Sequence, residues 1–399
     1  MCWEYRKKAL VVSLNVNVFE KEDFMRYRRL GNTGLIVSEV GFGTIPVLKG
    51  SVPVLPGYYN LEEEEAVAVM EYAHRLGCSL YDTAVVPEYG DAEIKLGKFA
   101  QKIGRDRIVI SDKARFFDGS GMYRAVEESC ENLGTYPDLY FVHQADAEHG
   151  EEIFGKYGAL DALSEQKARG MIRFVGVASH YYDILLRAAV DKRVDVLQMS
   201  GNIFERGMLE RVKGEPRFLG KGILVNKVYA AGLLPAFFPA KELVDGVLSY
   251  PVSCALIGIG TRGEADAAMG NGQKGMDSKK GQQEQGGGLP SFSEVLCTLE
   301  RQFDPIPCDR CQRCRCPHGT EIHTVFRQYH YYFMGKDYWA LKKLDLGIKE
   351  SAAHCRECTA MSCLTECPAG IRIPDEMQKL EKLVLLHPIL SNVPGGGIE

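Results

Sequence analysis

Leu80-Tyr81-Asp82-Thr83-Ala84, followed at a short distance by Tyr89-Gly90, is the stretch from which the fold is read. Leu80 and Tyr81 have the character of a strand end, and Asp82 stands where that strand enters a loop. Gly90-Asp91-Ala92-Glu93 then opens a helix, with Asp91 as its expected N-cap. An acid and a phenol at one strand exit is how a parallel barrel presents reactive groups. Lys113 and His143 close the next two strand-like segments. A satisfied polar loop accounts for Asp82 alone. It does not account for four polar groups at the exits of three successive strands.

Outward from this stretch the chain alternates strand and helix. Expected strands are Val40–Thr44, Cys78–Thr83, Arg107–Asp112, Leu139–Val142, Ile172–Val177, Val194–Met199, Ile223–Val228 and Cys254–Gly258. Helical periodicity separates them, for example at Leu61–Leu76, Ala92–Ile103 and Met122–Leu133. The acids Glu62 to Glu65 lie at the helix end where the dipole favours them. Eight strand–helix units in about 230 residues predict a closed (β/α)8 TIM barrel over residues 25–270. Short Val-, Ile- and Leu-rich runs fit parallel strands covered on both faces. Tyr27-Arg28-Arg29-Leu30 and Leu35-Ile36-Val37-Ser38, with Gly31 and Gly34 between, read as a hairpin before the barrel. An open doubly wound sheet is the rival fold, but no G-x-G-x-x-G follows the first strand.

Composition narrows the function classes. With 399 residues, two domains are the prior. A net charge of −5 argues against a nucleic-acid partner. No apolar run approaches the roughly 18 residues that span a bilayer, so no membrane partner is expected. Residues 1–24 read as an N-terminal extension. Arg6-Lys7-Lys8 and the apolar Ala9 to Phe19 imitate a signal peptide, but no small-residue cleavage site follows. Gly, Gln, Lys and Ser dominate residues 271–290, which read as a disordered linker. Phe292 to Phe303 reads as a helix leading into a C-terminal domain over 291–399. Of thirteen cysteines, eight lie between Cys308 and Cys367 in two groups of four. Tight clustering with an odd total speaks for metal ligation in a reducing compartment, and hence for a cytoplasmic protein.

The four strand-exit groups suit carbonyl reduction. A carbonyl that accepts hydride needs a proton donor for its developing oxyanion. Tyr89 can donate if Lys113 lowers its pKa. Asp82 can serve as the counter-ion of a buried Lys113. His143, as a neutral imidazole, can orient the carbonyl.

With those residues in place, the chain resembles the aldo-keto reductases over roughly Tyr27 to Met269. The resemblance rests on Tyr27-Arg28-Arg29-Leu30-Gly31 with Thr33-Gly34, Asp82-Thr83-Ala84, Tyr89-Gly90, Ser111-Asp112-Lys113, and Asp138-Leu139-Tyr140 leading to His143. Val196-Leu197-Gln198 with Asn202, and Lys227 with Ala230-Ala231-Gly232-Leu233-Leu234, add to it. It implies a catalytic tetrad of Asp82, Tyr89, Lys113 and His143. It also implies NADP(H), with NAD(H) as the alternative, bound across the barrel mouth, and a small carbonyl or alcohol as substrate. Gln198 and Asn202 then fall by the nicotinamide, Lys227 by the pyrophosphate and Arg262 by a 2′-phosphate; an exposed first-turn residue is the bland reading of Arg262. Four departures stand out. Val85-Val86-Pro87-Glu88 lengthens the loop before Tyr89 by two residues. Ala178 replaces a usual Ser, for which Ser179 is the candidate substitute. Gly201 stands where a stacking Tyr is common. Ala268 and Met269 replace polar residues that hold the adenine.

Cys308-x2-Cys311-x2-Cys314-x-Cys316-Pro317 and Cys355-x2-Cys358-x4-Cys363-x3-Cys367-Pro368 resemble bacterial-type ferredoxin runs. Such runs hold two [4Fe–4S] clusters and exchange their last cysteine. The resemblance therefore implies Cys308, Cys311, Cys314 and Cys367 on one cluster and Cys355, Cys358, Cys363 and Cys316 on the other. A single cluster, or two zinc sites each held by four cysteines, are the alternatives. Pro317-His318-Gly319 and Pro368-Ala369-Gly370 suggest an internal duplication. Barrel and cysteine region together resemble the iron–sulfur branch of the aldo-keto reductases. The C-terminal domain is expected to be small, mainly helical and ferredoxin-like, with a redox partner protein open to it. An electron-transfer protein and a non-catalytic NADP(H)/redox sensor are the rival functions.

Overall fold

The computed structural model describes residues 25–49, 60–203, 205–269, 297, 305–335 and 338–385. The expected extension at 1–24, the linker at 271–290 and, apart from Cys297, the helix at Phe292–Phe303 lie outside these. The chain forms two compact units. The second takes Ile203–Met208 and Leu233–Phe237 as well as the chain from Pro290 onward.

The first unit is the barrel. Strands β1 (Tyr27–Arg29) and β2 (Ile36–Ser38) pair antiparallel as the expected hairpin. Eight parallel strands follow: β3 (Val40–Gly43), β4 (Leu80–Asp82), β5 (Val109–Ala114), β6 (Leu139–Val142), β7 (Phe174–Ser179), β8 (Val196–Ser200), β9 (Gly222–Asn226) and β10 (Cys254–Gly258). They close in the order β10-β3-β4-β5-β6-β7-β8-β9, with β9 returning to β10. Helices including α1 (Glu63–Arg75), α2 (Ala92–Ile103) and α3 (Gly119–Leu133) follow the first strands.

The hairpin seals the end of the barrel where the strands begin. Its Leu30, Leu35 and Val37 share one buried cluster with Leu80, Val109, Leu139, Val196 and Cys254, each the first residue of its strand. Polar groups at the other end are left to face the opening. Inside, Phe141 packs against Gly176, where a Cβ would come 2.2 Å from the ring. Glycine here serves core packing rather than backbone freedom.

Strand β5 runs two residues past the expected Arg107–Asp112. Arg105–Arg107 instead forms a 3-10 turn, and the strand continues because Asp112 and Lys113 both find buried partners. Asp91 precedes α2 but makes no capping bond. Its carboxylate accepts the Lys49 N–H at 2.7 Å and pairs with Lys95, 2.9 Å away.

In the second unit four helices are described: α4 (Ile322–Gly335), α5 (Tyr338–Glu357), α6 (Ser362–Glu366) and α7 (Ile373–Leu385). Their core holds Phe326, Tyr329, Leu344, Ile348, Met377 and Leu380. Phe326 and Tyr329, with Tyr332 and Phe333 packed against them, thus serve packing. The duplication suggested by sequence is visible in the backbone. Gly319 and Gly370 both adopt positive φ and bond back to Cys316 and Cys367, and helices start at Ile322 and Ile373. No described helix is long and apolar enough to cross a membrane.

Candidate active site

Strands β4, β5, β6 and β8 lie side by side or across the barrel. Their carboxyl ends bring Asp82, Lys113, His143 and Gln198 to one mouth. The Lys113 ammonium is buried. It donates to Asp82 Oδ2 at 2.6 Å and to the Thr83 carbonyl at 2.6 Å. Asp82 Oδ1 accepts from Ser111 Oγ at 2.6 Å and from Gln198 Nε2 at 3.1 Å. A buried carboxylate is tolerable only with such donors around it. Burial pulls the Lys113 pKa down, but Asp82 and Tyr89 more than offset it, and the net direction is up.

Tyr89 ends a 3-10 turn, Pro87–Tyr89, inside the longer loop. That loop is pinned by a bond from Val85 N–H to the Lys113 carbonyl at 3.0 Å. The Lys113 nitrogen sits 5.3 Å from the Tyr89 ring centre and acts on the phenol electrostatically. The expected fall in the Tyr89 pKa is not found. Burial raises it, and Lys113 offsets only part of that rise. The phenol is therefore a proton donor that stays protonated well into alkaline solution. His143 is pushed well below the usual histidine range by burial, with Lys113, Arg115 and Lys227 adding to the effect. It is a neutral imidazole, as read from sequence.

A cavity of about 160 Å³ opens here, lined by Gly43, Asp82, Tyr89, Asn226, Lys227 and Tyr229 among others. Two buried atoms of the mouth, Gln198 Oε1 and His143 Nδ1, have no hydrogen-bond partner among the described residues. Residues Lys227, Ala230 and Ala231 all hold positive φ, a strained run of the kind kept where backbone meets a ligand.

Residues 40–238 match the model of the Aldo/keto reductase family. The chain belongs to that family.

A probable aldo-keto reductase of Glycine max is 29% identical over 235 residues, 55% of this chain and 62% of that protein. An L-galactose dehydrogenase of Arabidopsis thaliana is 33% identical over 168 residues, 39% of this chain and 49% of its own. The chain thus spans roughly half to two thirds of these relatives. A Bacillus halodurans aldo-keto reductase, solved in a holo form, superposes with a TM-score of 0.53 at 21% identity, over 62% of this chain and 91% of that one. It speaks for the fold alone.

The remaining aldo-keto reductase positions fall unevenly. Asn202 is buried and donates to the Lys227 carbonyl at 3.1 Å, so these two lie together. Ser179 does not turn to the mouth. Ala178 belongs to the barrel interior, so alternation along β7 sends its neighbour the other way. The Ser179 hydroxyl donates to the Ala145 carbonyl at 2.6 Å and works as a loop tie. Arg262 is exposed at the first turn of its helix, with its guanidinium 5.5 Å from the Tyr72 ring centre. Ser111, Asn226 and Tyr229 are site residues that sequence reading passed over. For Ser111 a signal existed: it stands two residues before Lys113 on one strand and so shares its face.

The cysteine unit is a second candidate site. Electrostatic neighbours pair Cys308 with Cys314, and Cys314 with Cys311 and Cys367. They pair Cys355 with Cys316, Cys363 and Cys358. A weaker link joins Cys314 to Cys363. Burial pushes the Cys355 thiol up to about 11 and that of Cys314 to about 12. Positive φ at Arg310 and Gln312 curls the first run around its thiols. Among the described residues no group of three or more Cys, His, Asp or Glu side chains is set to hold a single metal ion. Arg310, in the first run, is 5% exposed and pairs at 2.6 Å with Glu205, 2% exposed.

Proposed function

We propose that the barrel is an NADP(H)-dependent oxidoreductase that interconverts a small carbonyl compound and its alcohol. The carrying observation is the Asp82–Lys113–Tyr89 chain at the mouth, with neutral His143 beside it. The reduced nicotinamide, when bound, supplies hydride to the carbonyl carbon. Tyr89 gives its hydroxyl proton to the oxygen as charge develops there. Lys113 stabilises the phenolate left behind, and Asp82, held by Ser111 and Gln198, fixes the ammonium. His143 as a neutral imidazole orients the carbonyl oxygen. For the cofactor, the vacant acceptor on Gln198 fits a carboxamide N–H. Lys227, in its strained run, brings a cation suited to phosphate. NADPH oxidation with a panel of aldehydes tests this. Tyr89→Phe is expected to lower kcat by about 10²-fold or more; an active Tyr89→Phe enzyme refutes it.

The second unit is proposed to hold two [4Fe–4S] clusters. Support comes from the thiol neighbours, which fall into the two sets of four that exchange Cys316 and Cys367. Iron and sulfide analysis of anaerobically purified protein is the test. Zinc in place of iron overturns it.

A further inference from the structure

Two carboxyl groups behind the mouth belong to no step above. Asp112 precedes Lys113 on β5, so its side chain points out of the barrel toward the helices. It is 0% exposed, and Glu93 on α2 is 3% exposed. Asp112 Oδ1 accepts the backbone N–H of Lys113 at 2.8 Å. Glu93 Oε2 accepts from Asn132 Nδ2 on α3 at 2.9 Å. Their other oxygens, Asp112 Oδ2 and Glu93 Oε1, are buried with no donor among the described residues. Yet the two carboxyl groups lie close enough to repel when both are charged and to share a hydrogen when one is not. Two carboxylate oxygens can meet only with a proton between them, and like charges at that range do not both ionise in the interior.

We propose that Asp112 and Glu93 share one proton, with Asp112 as the neutral acid, and that Asp112 is a positioning residue for Lys113. The proposal rests on the reading of Lys113 and Tyr89 as the proton-transfer pair. Its logic is electrostatic. An ionised Asp112 raises both Lys113 and Tyr89 and is a second anion beside the ammonium. Protonated, it leaves Asp82 as the principal anion on Lys113 while still holding the β5 backbone in place. Among the described residues no cationic side chain hydrogen-bonds or pairs with either carboxyl group. Lys113 is committed to Asp82 and Thr83. Lys95, on α2, is bound to the Val47 and Leu61 carbonyls and to Asp91. The remaining titratable neighbours are Tyr140, whose hydroxyl is 2.9 Å from Ser129 Oγ, and Cys130. Burial raises Asp112 well above the usual carboxylate range, and Glu93 raises it further.

Three measurements on the full chain test this. The carboxylic C=O stretch of a buried acid should appear in the infrared difference spectrum of wild type against Asp112→Asn at neutral pH. Asp112→Leu, which loses both bonds, should lower kcat about tenfold with KM little changed. Asp112→Asn keeps an acceptor for Lys113 N–H and a donor for Glu93. It should rescue kcat to within about threefold, with the pH profile unmoved. Absence of the acid band overturns the shared proton. An Asp112→Asn profile displaced along the pH axis shows an ionised Asp112 in wild type and overturns it too. If Asp112→Leu fails to fold, the band and the Asn profile still decide. Retained activity in Tyr89→Phe defeats the parent reading instead, and leaves the infrared result standing.

Discussion

Replacing Lys113 by Met isolates the energetics of the mouth. The substitution keeps the stem volume and removes the ammonium from Asp82 and Thr83. Asp82 retains Ser111 and Gln198 as donors, both neutral. Breaking a buried ion pair from one side leaves an uncompensated charge, at about 3–5 kcal/mol. For a barrel of this size that lowers Tm by roughly 10 °C. The Lys113 pKa is raised on folding, so its contribution is complete below the ordinary lysine value of about 10.4 and is lost as pH climbs through the higher folded value. The penalty should therefore be flat between about pH 6 and 9. Thermal unfolding of Lys113→Met, Asp82→Asn and the double variant gives the cycle. The double variant should be more stable than Lys113→Met alone, because no charge is then stranded. Additive losses in the double variant refute the ion-pair account.

Other outcomes follow from the same geometry. Gly176→Ala drives a methyl group to within 2.2 Å of the Phe141 ring and should destabilise the barrel by about 1–3 kcal/mol in urea titration. Arg310→Met removes the guanidinium that pairs with buried Glu205 at 2.6 Å and should lower the stability of the second unit; Glu205→Gln in the same chain should restore part of that, as read by local hydrogen exchange. His143 sits below its ordinary value in the folded chain, so the unfolded chain takes up the proton first and stability falls below about pH 6.5. His143→Gln should make that acid slope shallower.

The sequence carries the strand exits because alternation and punctuation are local. Asp82, Lys113 and His143 each end a Val-, Ile- or aromatic-rich run, and the barrel brings such ends together. Asp112 and Glu93 were not legible. A glutamate in the first turn of a helix reads as a solvated, dipole-favoured residue, and only packing of α2 on β5 buries it. Ser179 is expected at the cofactor from its place in the motif, whereas one step along a strand reverses the face, and its hydroxyl donates to the Ala145 carbonyl. The Tyr89 pKa failed for a related reason. Proximity to Lys113 can be read from motif spacing, whereas desolvation depends on everything else around the ring. The repeat in the cysteine region is legible, because Gly319 and Gly370 follow the two Cys-Pro endings with the same backbone turn.

The membership of Ile203–Met208 and Leu233–Phe237 in the second unit bears on how such a chain can be taken apart. A truncation after residue 289 deletes Arg310 and takes away the cation 2.6 Å from Glu205, in a segment that begins one residue after Asn202. The cysteine module is thus not a detachable tail, and no single scission yields two self-sufficient pieces. Grafting it onto another barrel means rewriting two of the host's loops along with the terminus.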